Sequence, residues 1–285
     1  MNPVAGRGRT RRLLPRLHAA LREIDVDVEV SDTPDAPERI ARSATAEGRG
    51  IVACGGDGLV AKLAGIAAET DSLLAVVPTG AGNDFARALG LHPRRPLDAV
   101  PVVRTGRERT VDLGRSGEQW FASVANTGFD AEANRWANSV EAVSGTTLYL
   151  AALARTLVTY RPRRFRLRVD GDEPEELDAW LLAFANTPSY AGGMRIAPAA
   201  TIDDGELDVT IIGPVGRATF IWNLPRVATG SIAGHPRVSV RRGRRFSVES
   251  AGDASDELWA SGERVGPLPA SVDVVPGALR VVVPG

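Results

Sequence analysis

Lysine is almost absent from this 285-residue chain: Lys62 stands alone among 34 basic residues. With abundant alanine, that skew toward arginine suggests a GC-rich genome rather than a physical demand for guanidinium at every site. A single cysteine, Cys54, excludes an internal disulfide framework. Its position after Ile51-Val52-Ala53 and before a glycine pair suits a small, buried strand-end residue. No apolar run approaches the roughly 18 residues of a spanning helix, and no charged-then-apolar leader opens the chain. A cytoplasmic protein without a transmembrane segment is expected, with any membrane contact peripheral. The formal net charge of −1 lacks the basic excess of a bulk nucleic-acid binder. His18, His92 and His235 show no metal-ligand spacing, no internal repeat occurs, and the absence of Gly-x-x-x-x-Gly-Lys-Ser/Thr excludes a P-loop.

The first half alternates helical and strand signals. Leu13, Leu14, Leu17, Leu21 and Ile24 recur at helical spacing, Val26, Val28 and Val30 alternate as in a half-buried strand, and a second helix follows Pro37. Ile51–Cys54 and Leu73–Val77 are apolar runs that each end in a glycine-rich turn. Such strand-loop-helix units predict a mostly parallel sheet covered by helices, with ligands at the carboxyl ends of its strands. The second half predicts strands at Trp120–Ala125, Phe165–Val169, Ala179–Ala185, Leu207–Ile212, Val238–Val240 and Phe246–Val248. Only Thr147–Thr159 and Ala218–Ala228 read as convincing helices there. The expected organisation is α/β: a Rossmann-like nucleotide-binding domain over 1–113, with 276–285 returning to it, and a β-rich sandwich domain over 114–275. Asn2-Pro3-Val4-Ala5-Gly6 is a turn with no strand before it, so the first domain reads as lacking its first strand, or as a start set too far downstream.

Two glycine loops carry the chemistry. Gly55-Gly56-Asp57-Gly58 joins a buried strand to the helix holding Val60, Leu63 and Ile66. Glycine lets backbone N–H groups approach an anion closely, and Asp57 beside such a turn could orient a hydroxyl or a nucleotide-bound metal. The second loop, Pro78-Thr79-Gly80-Ala81-Gly82-Asn83-Asp84-Phe85, follows the next strand and should lie at the same sheet edge. Together they suit a phosphate cradle, with Asn83 and Asp84 either as polar contacts or as caps of a short helix ending at Gly90. Arg241, Arg242, Arg244 and Arg245 form either a solvated strand edge or a patch for anionic headgroups. Trp136, Trp180, Trp222 and Trp259 are expected to fill the core or a cleft wall.

Asn2-Pro3-x-x-Gly6, Gly55-Gly56-Asp57-Gly58 and Pro78-x-Gly80-x-Gly82-Asn83-Asp84-Phe85-Ala86 resemble three ordered signatures of the diacylglycerol kinase catalytic family, which is similar to sphingosine kinases. The likeness continues through Val111-Asp112, Asn126-x-Gly128-Phe129-Asp130, Asn186-x-x-x-Tyr190-x-Gly192-Gly193-Met194 and Asp203-Asp204-Gly205-x-Leu207-Asp208 to Gly277-Ala278-Leu279. The resemblance implies ATP-dependent phosphorylation of a lipid hydroxyl at the membrane surface, with Mg²⁺ as cofactor, a place in phospholipid metabolism and a homodimer. It implies that Asn2, Gly6, Gly55, Gly56, Gly58, Thr79, Gly80, Ala81, Gly82 and Asn83 surround the nucleotide. Asp57 and Asp112 would be acids of the cleft, and Asp204 would hold a structural Mg²⁺.

Four positions depart from that pattern. Ser261-Gly262-Glu263 stands where the family has Asp-Gly-Glu, so the carboxylate assigned to activating the lipid hydroxyl is missing and Glu263 is left as a partial substitute. Leu59 stands where bacterial members usually have threonine, though sphingosine kinases also have leucine there; Ala81 replaces a common threonine or serine, and Lys62 replaces a usual glutamate, its ammonium either holding phosphate or facing solvent. Two functions are therefore expected in order: a lipid kinase with an altered acid set, then a kinase-fold protein that binds lipid or nucleotide with little turnover.

Overall fold

A computed structural model of the protein describes residues 1, 9–31, 33, 35–139, 146–252 and 256–285. The first half comprises α1 (Arg9–Glu23), α2 (Ala36–Ala46), β1 (Ile51–Gly55), α3 (Asp57–Glu69), β2 (Leu74–Pro78), α4 (Asp84–Ala88), α5 (Ala99–Thr105) and β3 (Arg107–Ser116). Next come β4 (Gln119–Phe121), β5 (Val124–Gly128), α6 (Phe129–Ser139), α7 (Thr146–Thr159), β6 (Arg163–Val169), β7 (Glu175–Ala179), β8 (Leu181–Ala185) and β9 (Leu207–Ile212). The chain closes with α8 (Arg217–Thr229), β10 (Val238–Gly243), β11 (Arg245–Ser250), β12 (Glu257–Ala260), β13 (Glu263–Pro267) and β14 (Ala270–Val283).

This is a mixed α/β chain, an α/β half followed by a β-sandwich. β1 and β2 pair in parallel, Ile51 opposite Leu74, because a helix carries the chain back between them. Leu63 and Ile66 of α3 are buried against them, as the helical spacing requires. The long strand β14 joins the two halves. Its Val281 pairs in parallel with Leu74 of β2, while Val248 and Ser247 of β11 pair with its first residues, Ala270 and Ser271. A second sheet runs in the order β10-β9-β8-β5-β12-β13. It packs on the first through a core in which Phe184 and Phe246 meet edge to face, with centroids 5.5 Å apart. Cys54 is buried in the first-half core, and burial raises its thiol to about 11, which makes it a packing residue and a poor nucleophile.

Three expectations need correction. Val26–Val30 belong to no strand or ladder. A cavity of about 430 Å³ separates Val26 and Val28 from Ile51, Val52 and Cys54 of β1, so the period-2 pattern has no neighbouring strand to pair with. The Met1 ammonium instead donates to the Glu29 carbonyl at 2.6 Å, and the Ser31 N–H donates to the Met1 carbonyl at 2.9 Å. Trp120–Ala125 is not one strand: β4 pairs with β3, whereas β5 crosses into the other sheet beside β8. Among the described residues the second half also holds a third helix, α6, which buries Phe129, Asp130, Ala131 and Ala133, so a single large apolar residue marks its inward face and no large-apolar periodicity shows.

Candidate active site

The two glycine loops meet at the carboxyl ends of β1 and β2. Thr79 and Gly80 both donate their N–H to the Gly55 carbonyl, at 2.9 and 3.2 Å. A Cβ on Gly80 would lie 2.3 Å from the Gly56 Cα, so only glycine permits this approach. Asp57, the first residue of α3, reaches across to the second loop. It accepts N–H bonds from Asn83 and Asp84 at 2.7 Å and from Phe85 at 3.3 Å. Burial raises the Asp57 carboxyl above its ordinary value, neighbouring Asp84 adds to the rise, and the three N–H bonds oppose it. Asp57 thus fixes one loop relative to the other. Asn83, in the left-handed region at φ 57°, accepts the Gly80 N–H at 2.9 Å and donates to the carbonyls of Gly80 and Pro93, each at 2.8 Å. Its side chain braces the loop from within.

Asp84 extends this bracing to the second half. Its buried carboxylate accepts from the Ser189 hydroxyl and from the Gly192 N–H, each at 2.8 Å. The turn so held has two faces. Gly192 packs against the Gly82 Cα, while Tyr190 and Met194, bridged to each other, line an apolar cavity of about 300 Å³. Phe129, Leu181, Ile196, Ile212 and Phe220 complete much of its wall. The sequence showed the glycine pair of this turn but not its partner, which lies 108 residues away.

Ser261 and Gly262 form the two-residue hairpin between β12 and β13, with φ values of 52° and 81°. Positive φ at both central positions marks a type I′ turn. The hairpin closes over the start of α3: a Cβ on Gly58 would lie 3.6 Å from both the Ser261 carbonyl oxygen and Glu263 Oε1. Glu263 is ion-paired with Lys62 Nζ at 3.2 Å, and Lys62 also lies 3.9 Å from Glu38. The reversed charge of Lys62 is therefore spent on Glu263, the carboxylate left nearest the hairpin. The Ser261 Oγ is buried and has no hydrogen-bond partner among the described residues.

Asp112 and Asp204 have other surroundings. Asp112 is buried and accepts the Gly205 and Gly277 N–H groups at 2.7 Å, pinning three distant segments together. Asp204 pairs with the Arg242 guanidinium, which also reaches Glu206 at 3.0 Å and Asp208 at 3.5 Å. A cation already occupies the focus of these carboxylates, so they do not fit a Mg²⁺ ion as placed. Among the described residues no group of three or more His, Cys, Asp or Glu side chains is arranged to hold a metal. Two of the other three arginines of the patch are similarly engaged: Arg241 lies 3.5 Å from Glu175 and Arg245 lies 2.8 Å from Asp273, so the patch is partly neutralised. Asn2 and Gly6 lie outside the described residues. Thr79 is buried, and Ala81 sits between Gly80 and Gly82 with no hydroxyl to offer.

Comparison with known proteins places this geometry. Residues 1–116 match the diacylglycerol kinase catalytic domain, and residues 123–283 match the YegS C-terminal NAD kinase beta sandwich-like domain. A diacylglycerol kinase of Mycobacterium tuberculosis is 36% identical over 291 residues, covering 99% of this chain and 93% of its own. This chain belongs to the diacylglycerol kinase family. Within that family it is also similar to a diacylglycerol kinase of Staphylococcus saprophyticus, 27% identical with 94% of this chain and 88% of the relative covered. The fold is shared with a diacylglycerol kinase crystal structure from Bacillus anthracis, at a TM-score of 0.72 and 18% identity over 99% of this chain and 94% of that one.

Proposed function

We propose that the protein transfers the γ-phosphoryl group of ATP, delivered as its Mg²⁺ complex, to the hydroxyl of a diacylglycerol-like lipid. One observation carries the reading: the Ser189–Met194 turn touches the phosphate-loop residue Gly82 on one face and lines the apolar cavity on the other. An acyl chain in that cavity would keep its polar end near the glycine loops. There the first-turn N–H groups of α3 favour negative charge. Phosphoryl transfer asks the protein mainly to position its partners and stabilise charge, and paired glycine loops braced by Asp57 and Asn83 are suited to that. Family membership supports the same chemistry.

The Lys62–Glu263 pair and the neutral Ser261 favour a second reading, in which nucleotide and lipid bind with little turnover. Incubation of the full chain with γ-labelled ATP and dioleoylglycerol in mixed micelles separates the two. The kinase reading expects label in phosphatidic acid. Retained binding of both ligands, with no labelled lipid from any lipid alcohol, contradicts it.

A further inference from the structure

Both α7 and α8 contribute to the wall of the apolar cavity, and the outer faces of those helices are unusual. Ala154 and Leu157 of α7 and Phe220, Asn223 and Val227 of α8 line the cavity. The 220, 223, 227 spacing fixes one face of α8 inward, which turns Trp222, Pro225 and Arg226 outward. Trp222, expected in the core or a cleft wall, is in fact 83% exposed, with Ile221 at 47% and Val158 of α7 at 70%. Scattered single apolar residues on a surface are ordinary, but these three sit on the two helices that border one cavity.

The cavity wall holds one carboxylate, the buried Asp130, but the exposed charge of the surrounding stretches is basic. Residues 142–169 and 209–248 contain no aspartate or glutamate. Arg155, Arg217, Arg226 and Arg237 belong to these stretches, and Arg237 lines the cavity itself. Arg217 donates to the Tyr160 carbonyl and Arg226 to the Asn223 side chain, neutral groups that leave the positive charge uncancelled. Carboxylates abound elsewhere and neutralise the arginines of β10, so the rim differs from the other arginine-rich edge of the same half.

We propose that the α7–α8 rim docks on an anionic lipid bilayer, with Trp222 and Ile221 entering the headgroup–acyl boundary and the arginines contacting anionic headgroups. Tryptophan favours that boundary because its ring is apolar and its N–H polar. Basic side chains beside apolar ones are what an anionic surface retains. Docked in this way, the cavity mouth faces the bilayer, and a lipid can enter without crossing water. The purpose of the surface rests on the lipid-kinase reading, but its existence is measurable without any turnover.

The test is co-sedimentation of the full chain with vesicles of phosphatidylcholine, with and without 30–40 mol% (about one lipid in three) phosphatidylglycerol. The wild type should sediment with the anionic vesicles. The double substitution W222S/I221S should lower the partition coefficient by about tenfold or more, given the apolar area withdrawn, with an unchanged melting temperature. Phosphorylation of a short-chain, monomerically dispersed diacylglycerol should be the same in both proteins. Wild type that stays in the supernatant, or a variant that sediments as well as wild type, overturns the proposal. So does a change in oligomeric state on substitution with no change in vesicle binding, which would assign the face to a second copy of the chain. Failure of the kinase reading would appear separately, as vesicle binding intact but no lipid product from either protein.

Discussion

Ser261→Asp is expected to raise lipid phosphorylation by about 10²- to 10⁴-fold, the usual contribution of a positioned general base. The substitution puts a carboxylate in the hairpin whose Ser261 carbonyl oxygen and Glu263 side chain face the start of α3 at Gly58. The backbone should accept it easily. Ser261 and Gly262 both have positive φ in a two-residue hairpin, and Asp-Gly is among the dipeptides such type I′ turns prefer. A gain in activity therefore would not have to overcome backbone strain in the turn. Ser261→Asn is the matched control, because asparagine suits the turn equally but accepts no proton at neutral pH. Equal rates for the Asp and Asn variants would place the reacting hydroxyl elsewhere.

Asp84→Ala should cost about 3 kcal/mol of unfolding free energy, since hydrogen bonds to charged groups contribute roughly 1.5–3 kcal/mol each. The carboxylate accepts from Ser189 and Gly192, and its removal leaves the buried Ser189 hydroxyl and the part-buried Gly192 N–H without this partner. Relief of its repulsion with Asp57 offsets part of that cost. Asp84→Asn keeps one acceptor oxygen and should lose about half as much by the same reckoning. Urea titration checks both, as a lower midpoint at unchanged slope. If Asp84→Ala unfolds at the wild-type midpoint, the junction is held by its other ties, among them strand β14 and the hydrogen bonds of Asp112. A lowered midpoint with normal lipid phosphorylation would separate stability from site geometry and limit Asp84 to the former.

How much of this was legible depended on how local each cause is. The helical spacing of Leu13, Leu17 and Leu21 and of Val60, Leu63 and Ile66 is a property of one segment, and α1 and α3 formed there. Val26, Val28 and Val30 carry an equally clear local pattern, but a strand needs a neighbour, and a cavity lies where one would pair. The paired loops were legible because each follows its own strand and the two strands are adjacent and parallel. Asp57 was legible as a loop acid but not as the acceptor of three backbone N–H groups, which depends on the second loop folding over it. Asp204 read as a Mg²⁺ ligand, but its carboxylate pairs with Arg242, from a strand begun more than thirty residues later, which no local pattern shows. Trp222 could have been placed correctly: Phe220, Asn223 and Val227 define the inward face of α8, and position 222 falls outside it.

The central claim is that Gly55–Gly58, the 79–83 loop and the Ser261–Glu263 hairpin form one nucleotide site. Amide hydrogen exchange on the full chain, with and without Mg²⁺–ATP, tests it directly. Peptides spanning 55–60, 79–83 and 258–264 should all slow their exchange when nucleotide is added, and residues 26–31 should be unchanged. Protection confined to 26–31 and 51–54, around the cavity beside β1, would contradict the account, as would protection of the glycine loops without the hairpin.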